Sequence, residues 1–134
     1  MENIDIEHNK ALVREVFERV INGHDAALAA AFYAEDYIQH NPRVPTGRAG
    51  LQQLLDMMFA GIPDLEGRVT LMMAEGDRVM ALVEWSGTHL GPFAGSPATG
   101  RPIRFKSAEI FRVRDGLLTE HWDVVEWPTQ GDTD

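Results

Sequence analysis

Glu109, His121 and Asp123 are the residues whose types and spacing most clearly suggest chemistry. They lie in two apolar runs separated by Arg114-Asp115-Gly116, a pattern typical of two paired strands joined by a hairpin turn. Burial among apolar side chains raises the pKa of a carboxyl group, and a second acid nearby raises it further. The sequence therefore predicts general acid–base catalysis by these three residues.

The length of the hairpin turn decides whether the two acids share one face of the sheet. A two-residue turn at Asp115-Gly116 places Glu109 opposite Trp122 and separates the acids. A three-residue turn with a bulge places Glu109 opposite His121, and we favour it because it gathers the polar residues into one pocket. The pocket face that it predicts comprises Ser107, Glu109, Phe111, Val113, Leu117, Thr119, His121, Asp123 and Val125.

His40 is the second histidine to which we assign a catalytic role. It lies in the extended stretch at residues 37–42, whose proline disfavours a helix. A side chain at the end of such a strand can lean into the mouth of a pocket. There a neutral imidazole can donate a hydrogen bond to a carbonyl oxygen as enolate charge develops. A purely structural hydrogen bond is the alternative role.

Residues 91–100 are too rich in glycine and proline for regular structure, so they predict a loop beside the sheet. The loop presents an exposed Phe93, and we expect it to be mobile without ligand and to close this ring over the pocket mouth. His89 precedes the loop and could contact a ligand there. The residues predicted to bind substrate are Tyr37, Trp85, His89, Phe93, Phe105, Ser107 and Phe111.

A metal site is an alternative use of the polar residues. Two histidines and one carboxylate form a common site for transition metals, but the spacing of the candidates matches no recognised ligand motif. No glycine-rich phosphate loop follows a predicted strand, which removes support for a nucleotide cofactor. We therefore expect neither a metal nor an organic cofactor. The candidates considered for the metal site are His40, His89, Glu109, His121 and Asp123.

The elements that must position these residues fall into two groups along the chain. Apolar residues at helical spacing predict a first helix over residues 6–20, a second over residues 25–34 and a third over residues 48–60. From Leu65 onward, apolar and polar residues alternate, which predicts four long antiparallel strands ending near Val125. Helices followed by a meander indicate one α+β domain, with three helices packed on one face of a strongly curved sheet.

Composition excludes several classes of function. The 134 residues suffice for one domain with its own core, and the absence of cysteine excludes disulfides and thiolate chemistry. The formal net charge of −9 repels phosphate backbones, so nucleic acid is not an expected partner. No apolar run approaches the roughly 18 residues of a membrane span, and the charged N-terminal segment does not resemble a signal peptide. We expect a soluble cytoplasmic protein that binds no membrane.

The outer face of the predicted hairpin carries an apolar patch. Ile110, Trp122 and Val124 point away from the pocket in the register that we favour. Such a patch is larger than a monomer normally exposes. We therefore predict a homodimer through the outer face of the sheet.

The order of these elements and four motifs resemble the SnoaL-like polyketide cyclases. The motifs are YIQHNP at 37–42, GTHLG at 87–91, IFRVRDG at 110–116 and EHWD at 120–123. These cyclases belong to the nuclear transport factor 2-like superfamily, so the resemblance implies a cone-shaped half-barrel with the three N-terminal helices on the concave side of the sheet. The resemblance extends from the first helix to about Trp127 and is nearest to the branch described as predicted aldol-condensation enzymes.

The resemblance also implies a role for Asp123. In the family's cyclases an aspartate in the last strand is the acid/base of an intramolecular aldol ring closure, and Asp123 matches it by its spacing from the Asp-Gly turn. A pocket histidine of those cyclases falls at Glu109 in this chain, so a carboxylate stands in place of their electrophilic partner.

Two classes of function follow for the chain. The first is a cofactor-independent acid/base enzyme, a polyketide cyclase or an aldol-type lyase or isomerase, that acts on a small hydrophobic carbonyl compound. The second is a non-catalytic module that binds a small molecule in the same cone, and epoxide hydrolases and dehydratases also use this fold. A large apolar pocket with a perturbed acid favours the enzyme, whereas a cone filled by side chains favours the binding module.

Overall fold

The computed structural model of the chain describes residues 5–93 and 95–127. Its helices precede its main strands, and the predicted α+β class with three helical segments is confirmed. The helical segments are α1 (Ile6–Glu15), which continues as a π-helical segment (Val16–Ile21), a 3₁₀ helix (Ala26–Ala31) and α2 (Gly47–Gly61). The strands are β1 (Tyr33–Gln39), β2 (Glu66–Glu75), β3 (Arg78–Thr88), β4 (Pro102–Arg114) and β5 (Leu117–Glu126).

The five strands form one curved, unclosed sheet in the order β1-β5-β4-β3-β2. The four predicted long strands are β2 to β5, and each pairs antiparallel with the next along the chain. The short extended stretch that was predicted before them belongs to β1, which pairs in parallel with β5 as a fifth strand. The helical segments pack on the inner, concave face of this sheet, as predicted.

The second helical segment is shorter than predicted. Asp25 starts it as expected, because its carboxylate accepts a hydrogen bond from the Leu28 N–H at 3.1 Å. The segment ends at Ala31, since the Phe32 carbonyl oxygen accepts from the Leu118 N–H at 2.8 Å and the chain enters the sheet there.

Within the described ranges, no helix has both the length and the apolar character needed to cross a membrane.

The hairpin between β4 and β5 corrects the predicted three-residue turn. Asp115 and Gly116 alone form the turn, with φ angles of 52° and 75°, and Arg114 pairs with Leu117. Positive φ at both central residues is the geometry of a type I′ turn, which an Asp-Gly pair favours and which matches the twist of paired strands. The prediction of a three-residue turn is therefore wrong.

A bulge at Thr119 returns His121 and Asp123 to the same face of the sheet as Glu109, which the two-residue turn alone would not do. Leu118 pairs with Val113 and the next pair involves Glu120, so Thr119 has no partner on β4. The predicted pocket positions of Leu117 and Thr119 are consequently wrong. Leu118, which lies between them, is fully buried on the inner face instead.

The two acids meet across the sheet as a result of this bulge. Glu109 lies directly opposite Asp123, while His121 lies opposite Phe111. The predicted pairing of Glu109 with His121 is therefore wrong by two residues along β5. All four residues nevertheless share the inner face, where they were predicted to lie.

Candidate active site

A cavity of about 580 Å³ lies between the inner face of the sheet and helix α2. Its wall is mainly apolar, and a volume of this size suits a drug-sized small molecule. An open cavity is the arrangement that favours an enzyme over a filled cone. The aromatic part of the wall consists of Phe17, Trp85, Phe93, Phe105, Phe111 and Trp127.

Glu109, His121 and Asp123 come together in this cavity. Glu109 Oε1 lies 2.7 Å from His121 Nε2, and one polar side-chain atom of each of the three residues lies within 4.8 Å of the others. The Glu109 and His121 side chains are 11% and 7% exposed, so both are nearly removed from water. The structure thus brings together three of the four residues predicted to be catalytic.

Asp123 is the acid of this cluster that remains partly exposed. Its partial burial raises its pKa above the ordinary value for an aspartate, and the negative charge of Glu109 raises the pKa further. His121 and a hydrogen bond from Asn41 oppose this rise without cancelling it. A carboxylate with a raised pKa is a stronger base than an ordinary aspartate, so Asp123 suits proton abstraction.

Two side chains at the end of β1 contact the cluster. Asn41 Nδ2 donates to Asp123 Oδ1 at 3.2 Å, and Gln39 Oε1 lies 3.0 Å from His121 Nδ1. Neither was predicted as a site residue. The alternation of an extended chain could have found both, because they lie two and four residues beyond Tyr37 and share its face.

His40 lies outside the cavity, which corrects the prediction that it leans into the mouth. It stands between Gln39 and Asn41 in an extended segment, where successive side chains alternate, so it points to the outer face. Its Nε2 lies 2.6 Å from Glu120 Oε2, and its ring stacks on Trp122 with ring centroids 4.8 Å apart. The structure therefore gives His40 the structural hydrogen bond that was the alternative to catalysis.

Six of the seven residues predicted to bind substrate line the cavity. Trp85 Nε1 donates to Ser107 Oγ at 2.8 Å, so the serine hydroxyl is held against the wall. His89 is the exception, because it is buried behind Phe93 and is not part of the wall. Binding of substrate by the six stays a prediction. They are Tyr37, Trp85, Phe93, Phe105, Ser107 and Phe111.

Phe93, in the loop over residues 91–100, is packed into the cavity wall. Its ring centroid lies 6.2 Å from that of Phe105 and 5.8 Å from that of Trp127, and only 9% of the residue is exposed. The expectation of an exposed ring is therefore wrong, because other aromatic rings already cover it. Mobility of the loop stays a prediction.

Tyr33 is a wall residue that was not predicted from the sequence. Tyr33 and Tyr37 are almost fully buried, and their rings meet edge to face with centroids 5.1 Å apart. Burial raises the pKa of both hydroxyls far above the ordinary tyrosine value, and the negative charge of Glu109 contributes to the rise. Both hydroxyls therefore stay protonated and can donate hydrogen bonds.

The metal site considered above does not assemble with two histidines. His40 and His89 lie outside the cavity, so Glu109, His121 and Asp123 are the candidates that remain together. Both ring nitrogens of His121 already lie within 3.0 Å of a side-chain oxygen. A metal ion would need one of these nitrogens free and without its proton, so the contacts suit proton transfer better than metal binding.

The chain matches known proteins along most of its length. The family model of SnoaL-like polyketide cyclases matches residues 11–129. The chain is 26% identical over 121 residues to aklanonic acid methyl ester cyclase DnrD of Streptomyces peucetius, in an alignment that covers 87% of this chain and 81% of that one. Two solved structures from Streptomyces also resemble it: TsrD from Streptomyces laurentii, with a TM-score of 0.84, 27% identity and 92% of each chain covered, and AclR from Streptomyces galilaeus, a proposed hydroxylase, with a TM-score of 0.81, 29% identity and 91% of each chain covered. As the four motifs predicted, the chain belongs to the SnoaL-like polyketide cyclase family and has its nuclear transport factor 2-like cone fold.

Proposed function

We propose that the chain is a cofactor-independent enzyme that uses Asp123 as a general acid/base on a small hydrophobic carbonyl compound. One observation carries the proposal: Asp123 combines a raised pKa with a place in an open, mainly apolar cavity beside Glu109 and His121. The relative DnrD is named as a cyclase, which supports a reaction of the cyclase type. Aldol ring closure is the cyclase reaction that these groups suit best.

The reaction starts at Asp123. Its carboxylate takes a proton from a carbon next to a carbonyl group, and the electron pair of the broken C–H bond moves onto the carbonyl oxygen to give an enolate. The enolate carbon attacks a second carbonyl of the same molecule, which forms the new C–C bond and an alkoxide. The alkoxide takes the proton back from Asp123. General acid–base help of this kind contributes roughly 10²–10⁴ in rate.

The Glu109–His121 pair supports the enolate. A contact of 2.7 Å between two polar atoms requires a proton between them, and this pair lies within 4.8 Å of Asp123. The pair can share this proton with the developing enolate oxygen, and the hydrogen bond so formed stabilises the transition state. The Tyr33 hydroxyl is a second donor on the same wall.

Conversion of a test ester checks the proposal. Because DnrD is named for aklanonic acid methyl ester, this compound is the first to incubate with the wild type and with Asp123→Asn. We expect ring closure by the wild type and a rate lower by about 10²–10⁴ for the variant. Asp36→Asn changes an exposed acid on β1 and is the control that should keep full activity. Equal rates for the wild type and Asp123→Asn would remove Asp123 from the reaction.

A non-catalytic binding module is the second candidate, because the same open cavity can hold a ligand without converting it. Under this alternative the wild type and Asp123→Asn bind the ester equally and neither changes it. Epoxide hydrolysis and dehydration are further reactions for the same acid, and AclR, a proposed hydroxylase, is a relative for which a reaction other than ring closure is named. Incubation with an aryl epoxide and with a β-hydroxy ketone distinguishes them.

We also propose a homodimer through the outer face of the sheet. Two apolar rows cross this face side by side, and some of their residues are well exposed, such as Val124 at 73%. Charged rows of mixed sign flank them, for example Arg68, Glu84, Lys106 and Glu126. A second copy related by a twofold axis can cover the apolar rows and match opposite charges. The apolar rows are Leu71, Leu82, Ala108 and Val124, and Met73, Met80, Ile110 and Trp122.

A further inference from the structure

Gln39 and Asn41 each bind a backbone N–H two residues further along the chain. Gln39 Oε1 accepts from the Asn41 N–H at 3.1 Å, and Asn41 Oδ1 accepts from the Arg43 N–H at 2.9 Å. A backbone N–H can only donate, so the atom that it binds must be the oxygen of the side-chain amide. Both amides therefore have a fixed orientation toward the acid cluster.

Gln39 presents its oxygen to His121. Because this oxygen is an acceptor, the His121 Nδ1 atom that lies 3.0 Å away must carry a proton. The other ring nitrogen, Nε2, faces Glu109 Oε1 at 2.7 Å. One proton lies between these two atoms, either on a carboxylic acid beside neutral imidazole or on imidazolium beside a carboxylate. The pair therefore holds one mobile proton next to Asp123.

Asn41 presents its NH₂ group to Asp123. Nδ2 lies 3.2 and 3.5 Å from the two carboxylate oxygens, and a donor at this position stabilises the ionised carboxylate over the acid. Asn41 thereby counteracts the partial burial and the neighbouring charge that favour the protonated form. The titratable and charged groups that face Asp123 are Glu109 on β4, His121 on β5, Tyr37 on β1 and Arg43 at the cavity wall.

We propose that Gln39 and Asn41 are positioning residues that assign the protons of this site. Gln39 holds His121 with Nδ1 protonated, which keeps the mobile proton between His121 and Glu109. Asn41 keeps Asp123 ionised, so that Asp123 is the base. The inference deepens the proposed function and rests on it for the role of Asp123 in catalysis, whereas the proton positions can be measured without substrate.

The first test observes His121 in the substrate-free protein. In protein labelled with ¹⁵N-histidine, long-range proton–nitrogen NMR spectra report which ring nitrogen carries a proton. We expect a protonated Nδ1 in the wild type and in Gln39→Glu, which keeps an acceptor oxygen at this position. Gln39→Met has a similar length without an acceptor, so its His121 should lose the preference for a protonated Nδ1. An unprotonated Nδ1 in the wild type, or no change in Gln39→Met, would overturn the role of Gln39.

The second test observes Asp123 in substrate-free protein labelled with ¹³C-aspartate. Asn41→Asp keeps the oxygen that binds the Arg43 N–H but replaces the NH₂ group with a negative oxygen. The titration midpoint of Asp123 should rise by more than about one pH unit, because a like charge at hydrogen-bond distance opposes ionisation. Asn41→Ala removes the donor without adding charge and should raise the midpoint by about one pH unit or less. An unchanged midpoint in both variants would overturn the role of Asn41.

Thr46→Val is the matched control for a loosened loop. The Thr46 hydroxyl donates to the Tyr37 carbonyl oxygen at 3.2 Å and accepts from the Gln39 N–H at 3.1 Å, so its loss weakens the same segment without touching the acid cluster. The His121 proton and the Asp123 midpoint should keep their wild-type values in this variant. Changes of the same size in Thr46→Val would mean that loop packing causes the effects, which would contradict the proposal. If the proton positions hold but Asp123→Asn still closes rings, the proposed function fails while this assignment stands.

Discussion

Glu109 and Asp123 lie directly opposite each other across β4 and β5, on the face that lines the cavity. Two carboxylates in this arrangement resist simultaneous ionisation, so the charge of one affects the pKa of the other. His121 bonds to Glu109 and moderates the effect on Asp123. The base strength of Asp123 is therefore a property of the whole cluster, and a change at Glu109 should alter it.

Glu109→Gln should lower the pKa of Asp123. The substitution removes a negative charge that raises this pKa and keeps the size of the side chain. The Asp123 titration, followed by carboxylate ¹³C NMR, should move to lower pH by about one pH unit or less, since the site is partly open to water. Glu84→Gln changes an exposed acid on the outer face and should leave the titration unchanged. A midpoint that does not respond to Glu109→Gln would reject the coupling between the two acids.

Asp123→Asn should leave the fold intact and raise the melting temperature at alkaline pH. The pKa of Asp123 is higher in the folded protein than the ordinary value of the unfolded chain, so folding disfavours its ionised form. The wild type therefore loses stability as the pH rises from the ordinary aspartate pKa through the raised pKa of the folded protein. At a pH below both pKa values it loses none. Because asparagine cannot ionise, the variant should melt a few degrees higher at about pH 8 and lose this advantage below about pH 4.

Melting curves at several pH values measure this difference. A melting temperature of Asp123→Asn far below that of the wild type at every pH would make Asp123 a structural residue, because the loss would then be independent of ionisation. A gap between the two proteins that widens as the pH falls would contradict the sign derived from the raised pKa.

Gly116→Ala should destabilise the protein by about 1 kcal/mol, because Gly116 has a φ of 75° that a residue with a Cβ atom adopts at a cost. Asp115→Asn is the matched control at the other turn position, where φ is 52° and asparagine is also tolerated. The control should stay within about 0.5 kcal/mol of the wild type in urea unfolding. Equal stability of Gly116→Ala and the wild type would contradict the two-residue turn.

Light scattering should give the wild type twice the 15.0 kDa mass of one chain. Val124→Glu places a charge within an apolar row of the outer face and should yield the mass of a single chain, because the charge would be buried in the dimer. Leu90→Glu changes another exposed apolar residue, which lies beyond the end of β3, and should leave the dimer intact. A wild-type mass of one chain at micromolar concentration would refute the homodimer.

The α+β order could be predicted because its signals are local. The helical spacing of Val13, Val16 and Val20 and the alternation along the later strands each extend over a few residues, and both appear in the structure. The place of Asp123 and His121 on one face followed from the same alternation along β5.

The bulge at Thr119 could not be predicted in this way, whereas the outward direction of His40 could have been. A bulge shifts every later residue by one position, and no pattern in the sequence marks the residue that stays unpaired. His40 was assigned to the cavity together with Tyr37, but side chains three residues apart in an extended strand point to opposite faces, and its neighbours Gln39 and Asn41 line the cavity instead. The open cavity depends on the packing of side chains from distant elements, which periodicity does not describe.

Deuterium exchange at carbon tests the role of Asp123 most directly, because it isolates the proton abstraction from the ring closure. Aryl ketones, with acetophenone as the simplest, are incubated in D₂O with the wild type or Asp123→Asn, and proton NMR follows the loss of signal next to the carbonyl group. We expect the wild type to accelerate exchange above the rate in buffer. The variant should keep its fold, and its acceleration should be lower by a factor of about 10²–10⁴. The same exchange rate in both proteins would contradict Asp123 as the base.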